Sequence, residues 1–193
     1  EQEDGTPEEI YSGLKIHSKK TFKRNKKEYH RLADHIGFIP LVMVSPADTE
    51  LILGGSAERR RFMDVTISQF DKEYLNALIR YNQALSQRNA LLRSEMPVDG
   101  GLFDVLEQQM ADFGNVVYLK RMAYIDDFNP IFRKFYSAIS LDREEVELSY
   151  RSHGQEGSLL DRIKQSRERD RIVGFSLCGI QDRKSTRLNS SHT

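Results

Sequence analysis

The residues of this chain best suited to chemistry are cations in two clusters. From Lys15 to Arg31 stand Lys15, Lys19, Lys20, Lys23, Arg24, Lys26, Lys27 and Arg31, opposed within the block by Glu28 alone. Ammonium and guanidinium groups at that density suit a polyanion, and Lys19, Lys20, Lys23, Arg24, Lys26 and Lys27 are the candidates for DNA phosphate contact. Such contact holds a backbone without reading its sequence and weakens with salt. Phe22 and Tyr29, interleaved with the lysines, are suited either to stacking on bases or to packing as a core. Lysine-rich strands also occur simply as soluble sheet edges. The second cluster is Arg59, Arg60 and Arg61 in "GGSAERRRFMD", where a helix begins. Cations in a first helical turn oppose the dipole, so the triplet calls for anionic partners, either carboxylates such as Glu50, Glu58 and Asp64 or phosphate. At about 100° per residue Arg59 and Arg61 lie about 200° apart, so the three cannot share one face. Arg59 falls on the stripe of Phe62 and Met63, towards the packed side.

Other chemistries lack their residues. The phosphate-loop pattern G-x-x-x-x-G-K-[ST] is absent, and "GGSAERRR" has no lysine followed by Ser or Thr. His30, Asp34 and His35 are close in sequence but no further Cys or His cluster completes a zinc site, so no metal is expected. There is no G-x-S-x-G, and Cys178 sits in an apolar stretch without a histidine partner. Asp126 and Asp127 read as solvated. No catalytic residue is assigned.

These cations need elements to hold them. The chain has 193 residues, 30% of them charged, with Lys+Arg and Asp+Glu balanced at 29 each and a mean hydropathy of -0.59. That is a highly charged chain with room for one ordinary domain or parts of two. One cysteine forms no internal disulfide, and no apolar run approaches the about 20 residues that span a bilayer. A reducing, cytoplasmic setting without membrane contact is expected. From Glu9 to Arg31 approximate alternation around "RNKK" predicts a basic β-hairpin, and "LVMVSP" reads as a buried strand ended by Pro46. Gly54 and Gly55 form a loop, and Ser56 is expected to cap the arginine helix. In "DKEYLNALIRYNQALSQRNALLRSE" the positions Leu75, Leu78, Asn82, Leu85, Asn89 and Leu92 form a narrow seam. After the "MPVDGG" break, Phe103, Leu106, Met110, Phe113, Val117 and Tyr124 form the matching stripe of an antiparallel partner, with Gly114 a weak point within it. A separate helix is expected from Pro130 to about Ile139. "EVELSYR" and "FSLCGI" read as strands on either side of a polar helix. Strand, long helical excursion and strand is the order an insertion in a sheet domain produces. The closing "RKSTRLNSSHT" has no apolar periodicity and is expected to be a non-native tail; the first residue is not Met, so the natural start is expected to be missing as well.

The run "SPADTELILGGSAERRRFMD" followed by "ISQFDKEYLNALIRYNQALSQRNALL" resembles the RecF family of bacterial DNA repair proteins, related to the ABC-type ATPase heads of SMC and Rad50 proteins. "FKRNKKEYHRLADHIGFIPLVMVSP" before it, and "VELSYRS", "ERDR" and "FSLCGI" after it, keep the family's order, so the resemblance covers roughly residues 9 to 180. It implies a mixed α/β fold, an incomplete ABC-type head carrying an inserted antiparallel helical arm. Residues 1–64 would be partial head, 65–140 arm, 141–180 the return to the head and 181–193 the tail. It implies a weak DNA-dependent ATPase that uses ATP and Mg, forms an ATP-dependent homodimer, binds single-stranded or gapped duplex DNA, and works with a RecR-type partner to promote RecA loading. The family's Walker A, signature and Walker B motifs are expected to lie outside this chain, so no ATP contact is carried over and none is expected within it. In such a head Arg59 and Asp64 are expected to join head to arm, with Arg60 and Arg61 set beside the lysines as DNA-contact candidates. The reading of a different class is a helical protein-interaction module that binds neither nucleotide nor DNA.

Overall fold

The structure, a computed structural model, describes residues 7–14, 16, 20–94, 99–141, 143–152, 157–180 and 189–191. The chain separates into two compact units, 1–43 and 44–193. In the first, β1 (Ile10–Gly13), β2 (Thr21–Arg24) and β3 (Lys27–Glu28) form an antiparallel sheet in that order. The expected "RNKK" turn is present: Asn25 and Lys26 take φ of 49° and 67° between β2 and β3, the left-handed pair that a two-residue hairpin requires. Asn tolerates that conformation, and its Oδ1 accepts from Glu9 N at 2.9 Å. His35 holds the unit together, its ring lying 5.2 Å from Phe22, 5.3 Å from Tyr29 and 6.3 Å from Phe38.

The strand expected at "LVMVSP" does not form. Leu41, Val42, Met43 and Val44 are 70%, 87%, 80% and 86% exposed and lie outside any ladder. An apolar run becomes a buried strand only with pairing partners on its edges, and the described residues place none beside it.

The second unit opens with a short helix, α1 (Glu50–Leu53), then α2 (Ser56–Phe70), α3 (Lys72–Leu92) and α4 (Gly100–Ser140). Gly54 ends α1 so tightly that a Cβ there would lie 2.4 Å from Glu50 O. Gly55, not Ser56, is the N-cap of α2. Asp71 caps α3, its Oδ1 accepting from Tyr74 N at 2.9 Å while Lys120 Nζ reaches its Oδ2 at 2.8 Å. Beyond α4 follow β4 (Glu145–Glu147), α5 (Leu159–Val173), and β5 (Asn189–Ser191), which pairs antiparallel with β4. The sequence offered no element for β5. A strand edge recruits extended backbone by ladder hydrogen bonds alone, which leaves no side-chain pattern to read.

Pro130 lies inside α4 rather than starting a helix. Lacking an N–H, Pro130 cannot donate to the carbonyl four residues earlier, that of Asp126. Next to the proline, Asn129 donates to Leu148 O and accepts from Leu148 N, both at 2.9 Å, and so stands in for a neighbouring strand. "FSLCGI" also forms no ladder, although Ser176, Cys178 and Ile180 turn inward alternately as a strand would.

The α3 and α4 pair is an antiparallel hairpin, but its seam lies one residue earlier on α3 than the leucines indicate. The α3 stripe facing inward is Tyr74, Ala77, Tyr81, Ala84 and Arg88. Leu75 and Leu92 are also buried, whereas Leu78, Leu85 and Asn89 are only half-buried and Asn82 is exposed. Gly114 explains the shift. A Cβ there would lie 2.8 Å from Leu159 Cδ2 and 3.3 Å from both Ile180 Cγ2 and Tyr81 Cε2, so the missing side chain is the space the Tyr81 ring occupies.

Gly114→Val therefore lowers the stability of the chain by about 2 kcal/mol through overpacking, read from the urea midpoint. For Asp71, burial raises the carboxyl pKa but the Lys120 and Tyr74 hydrogen bonds outweigh it and the net direction is downward. A lowered folded pKa contributes stability above the unfolded carboxyl value, about 4, and loses it as pH falls through the folded value. Asp71→Ala accordingly costs about 1 kcal/mol at neutral pH, and the deficit narrows below about pH 4 in urea unfolding repeated across pH.

Candidate functional site

Three residue pairs face each other along the hairpin, stepping by seven in opposite directions: Tyr74 with Arg121, Tyr81 with Gly114, and Arg88 with Glu107. The outer two are ionic. In one, Arg121 Nη2 and Nε lie 2.7 Å and 3.0 Å from Asp64 Oδ1, Nε donates to Tyr74 Oη at 3.0 Å, and Nη1 donates to Tyr150 Oη at 3.0 Å and Ile180 O at 3.2 Å. Tyr74 Oη also donates to Asp64. Burial would lower the Arg121 pKa, but Tyr150, Tyr74 and Asp64 prevail and hold it above its ordinary value. Burial likewise pushes the Tyr74 phenol well up, so it stays a neutral donor at physiological pH.

In the other layer Arg88 is fully buried between two carboxylates. Its Nε and Nη2 donate to Glu107 Oε1 at 3.1 Å and 2.9 Å, and its Nη1 donates to Asp170 Oδ2 and Ser176 Oγ, each at 2.7 Å. Arg167 from α5 closes the other side of Glu107 and reaches Asp104. Asn89, expected at the seam, instead accepts from Ser176 N and Ser176 Oγ at 2.8 Å each.

Each arginine of the triplet has a different environment. Arg59 Nη1 donates to Leu51 O and Gly54 O, both at 3.0 Å, and so binds α1 to α2 through carbonyls rather than carboxylates. Arg60, 9% exposed, lines an open concavity of about 250 Å³ with Arg61 and Asp64 from α2, Tyr81 and Asn82 from α3, and Arg121 from α4. Arg61 is exposed and makes no ion pair among the described residues. Asp64 is the residue that joins α2 to α4, through Arg121.

The basic hairpin is less uniform than its sequence. Lys19 lies outside the described residues. Lys20, Lys26 and Lys27 are exposed, and Lys23 lies with its Nζ 5.9 Å from the Tyr11 ring centre. Arg24 is partly exposed but paired: its Nε donates to Glu8 Oε2 at 2.8 Å, its Nη2 pairs with Glu8 Oε1, and its guanidinium lies 4.0 Å from the Phe38 ring centre. The Glu8 hydrogen bond raises its pKa. Phe22 and Tyr29 belong to the cluster around His35. Among the described residues no group of three or more His, Cys, Asp or Glu stands close enough to hold a metal ion, and no helix is long and apolar enough to cross a membrane.

Sequence reading passed over Arg88, Glu107, Arg121 and Asp170. The available signal was the heptad itself. Glu107, Gly114 and Arg121 fall seven apart, and a charge that recurs in phase with an apolar stripe marks a buried pair.

No family model matches the chain. It is 68% identical over 180 residues to a protein of Bacteroides thetaiotaomicron named DNA replication and repair protein RecF, covering 93% of this chain and 49% of the relative. The proteins of that name from Bacteroides fragilis and Parabacteroides distasonis are 67% and 52% identical over 177 residues. The chain spans about half the length of the curated relatives it matches. A solved structure of the recombination mediator protein RecF-ATPrS in the RecFOR pathway superposes with a TM-score of 0.84 at 26% identity, covering 96% of this chain and 53% of that one. A RecF-ATP structure gives the same TM-score.

Arg88→Met leaves Asp170 buried without its cation and lowers stability by about 3–5 kcal/mol. Adding Asp170→Asn to that variant recovers part of the loss, as read from paired urea unfolding curves; equal loss in both would mean that the pair is not the source.

Proposed function

We propose, since this chain belongs to the RecF family, that it serves in DNA replication and repair as a recombination mediator of the RecF type. The fold is α/β and helix-rich, part of an ABC-type ATPase head with an inserted antiparallel helical arm. On this reading the lysines at the hairpin turn hold the backbone of single-stranded or gapped duplex DNA. The whole protein joins as an ATP-dependent homodimer, with ATP and Mg, and acts in the cytoplasm with a RecR-type partner to promote RecA loading. The observation that carries the reading is the 68% identity across nearly the whole chain.

The described residues do not by themselves fit a nucleotide. The Gly54 and Gly55 turn before α2 carries no phosphate-loop lysine, and Arg59 is turned onto the carbonyls of Leu51 and Gly54. The chain's own contribution is mechanical and electrostatic. The hairpin presents Lys23, Lys26 and Lys27 around a turn of fixed geometry, and the ionic layers hold α3 and α4 in one register.

Phosphate contact by lysine releases counterions, so affinity falls with salt. Anisotropy of a labelled gapped duplex titrated with the full chain is expected to show that fall. Replacing Lys23, Lys26 and Lys27 together with glutamine reduces the log-log salt slope by about 2–3. Binding that is absent at low salt, or a slope the triple variant leaves alone, assigns the chain to protein contacts instead. Arg24→Gln is expected to loosen the hairpin and lower the melting temperature, because its guanidinium is held by Glu8.

A further inference from the structure

The stretch from Ser176 to Ile180 pairs with no strand among the described residues, and its backbone is held by side chains instead. Ser176 N donates to Asn89 Oδ1 at 2.8 Å, Leu177 N to Asp170 Oδ1 at 3.0 Å and Ile180 N to the Tyr81 hydroxyl at 3.2 Å. Ile180 O accepts from Arg121 Nη1 at 3.2 Å. The anchors are the hairpin's own ionic layers: Arg121 at one end, and at the other Arg88, which donates to both Asp170 and Ser176 Oγ. Between the two ends the Cys178 thiol is buried. Ile180 fills part of the space over Gly114, where a Cβ would stand 3.3 Å from its Cγ2. Each of these bonds requires an ordered side chain, which costs rotamer entropy that a backbone ladder does not. Openings smaller than global unfolding begin in such stretches.

We propose that residues 176–180 are a strap that closes over α3 and α4 and opens as one unit, loosening both ionic layers as it leaves. Lifting the Ser176 end takes a hydroxyl from Arg88, and lifting the Ile180 end takes a carbonyl from Arg121. Because a guanidinium presents its donors in one rigid plane, neither end leaves without disturbing the layer beneath it. Tyr81 ties the two parts together: its ring lies at Gly114 in the middle layer of the hairpin, and its hydroxyl holds Ile180 N. The strap is thus a conformational lock. Closed, it holds α3 against α4 in one register; open, it lowers the cost of moving one past the other. This goes beyond the DNA reading and is independent of it, because no residue of the lysine strands takes part.

Cys178, the chain's single cysteine, reports the opening. The full chain is treated with an excess of a thiol reagent such as dithionitrobenzoate, and the modification rate is followed over a urea series that stops short of the unfolding transition. Tyr81→Phe keeps the ring at Gly114 and removes the Ile180 acceptor; Asn89→Ala removes the Ser176 acceptor. Each should speed modification about tenfold, the effect of one lost hydrogen bond. Together they should speed it about a hundredfold, because a single opening breaks both bonds. Asp64→Asn, which reaches the strap only through Arg121 and Tyr74, should speed it as well. The rate should rise with urea less steeply than global unfolding does, since the strap exposes far less surface than the whole chain. A double variant no faster than the faster single one would mean that the two ends open separately, and the strap would not be a unit. A rate unmoved by Asp64→Asn would unlink it from the layers, and a urea dependence equal to that of global unfolding would leave no separate opening. Any of these three results overturns the proposal, whatever the chain does with DNA.

Discussion

The second unit depends on one constraint, the register of α3 against α4. Tyr74 with Arg121, Tyr81 with Gly114 and Arg88 with Glu107 are layers about 10 Å apart along the helices. The middle layer fits in this register because Gly114 has no side chain where the Tyr81 ring lies. The outer layers make sliding costly, since a shift of one turn would leave Glu107 and Arg88 buried without each other. Buried pairs of this kind add little net stability over a well-packed apolar core. Their effect is to make every alternative alignment worse, which is how a polar group in a coiled-coil seam acts.

Both ionic layers also take a ligand from the chain that follows the hairpin. Arg121 reaches Tyr150 and the Ile180 carbonyl, and Arg88 reaches Asp170 and Ser176. The base of the hairpin and the returning segment thus share the same two guanidiniums. A guanidinium has five donors in a rigid plane, so it cannot keep one set of partners while the other moves. Displacement of α3 against α4 would be felt at Tyr150 and Ile180, and this makes the two stretches one mechanical body.

This explains what was legible in the sequence. Helices α2, α3 and α5 are readable because caps, breakers and apolar periodicity are local, and Asp71, Ser158 and Gly174 stand at their ends as cap chemistry predicts; α4 reads as two helices because the helix continues through Pro130. The seam was misplaced by one residue because leucine was taken as the mark of burial. The close-packed stripe is instead built of tyrosine, alanine and arginine, with Tyr81 packed at Gly114 and Arg88 matched to Glu107 on the other helix. The strand at Leu41 to Val44 failed for the opposite reason: its apolar residues are real, but a strand is a property of its neighbours. The family was recognisable from the stretch Ser45 to Leu92, because identity needs only the order of residues and not their partners.

The arginine triplet and the hairpin make the same point about charge. Of six cations read in the hairpin as equivalent, Arg24 is engaged within the unit while still partly exposed, because Glu8 and Phe38 offer it a carboxylate and a ring that no lysine would use as well. In α2 the angular step of about 100° sends Arg59 towards α1, where helix-end carbonyls want donors, and sets Arg60 and Arg61 over the concavity. The unfavourable position of three cations at a helix start is thus offset for Arg59 by bonds to carbonyls at the preceding helix end.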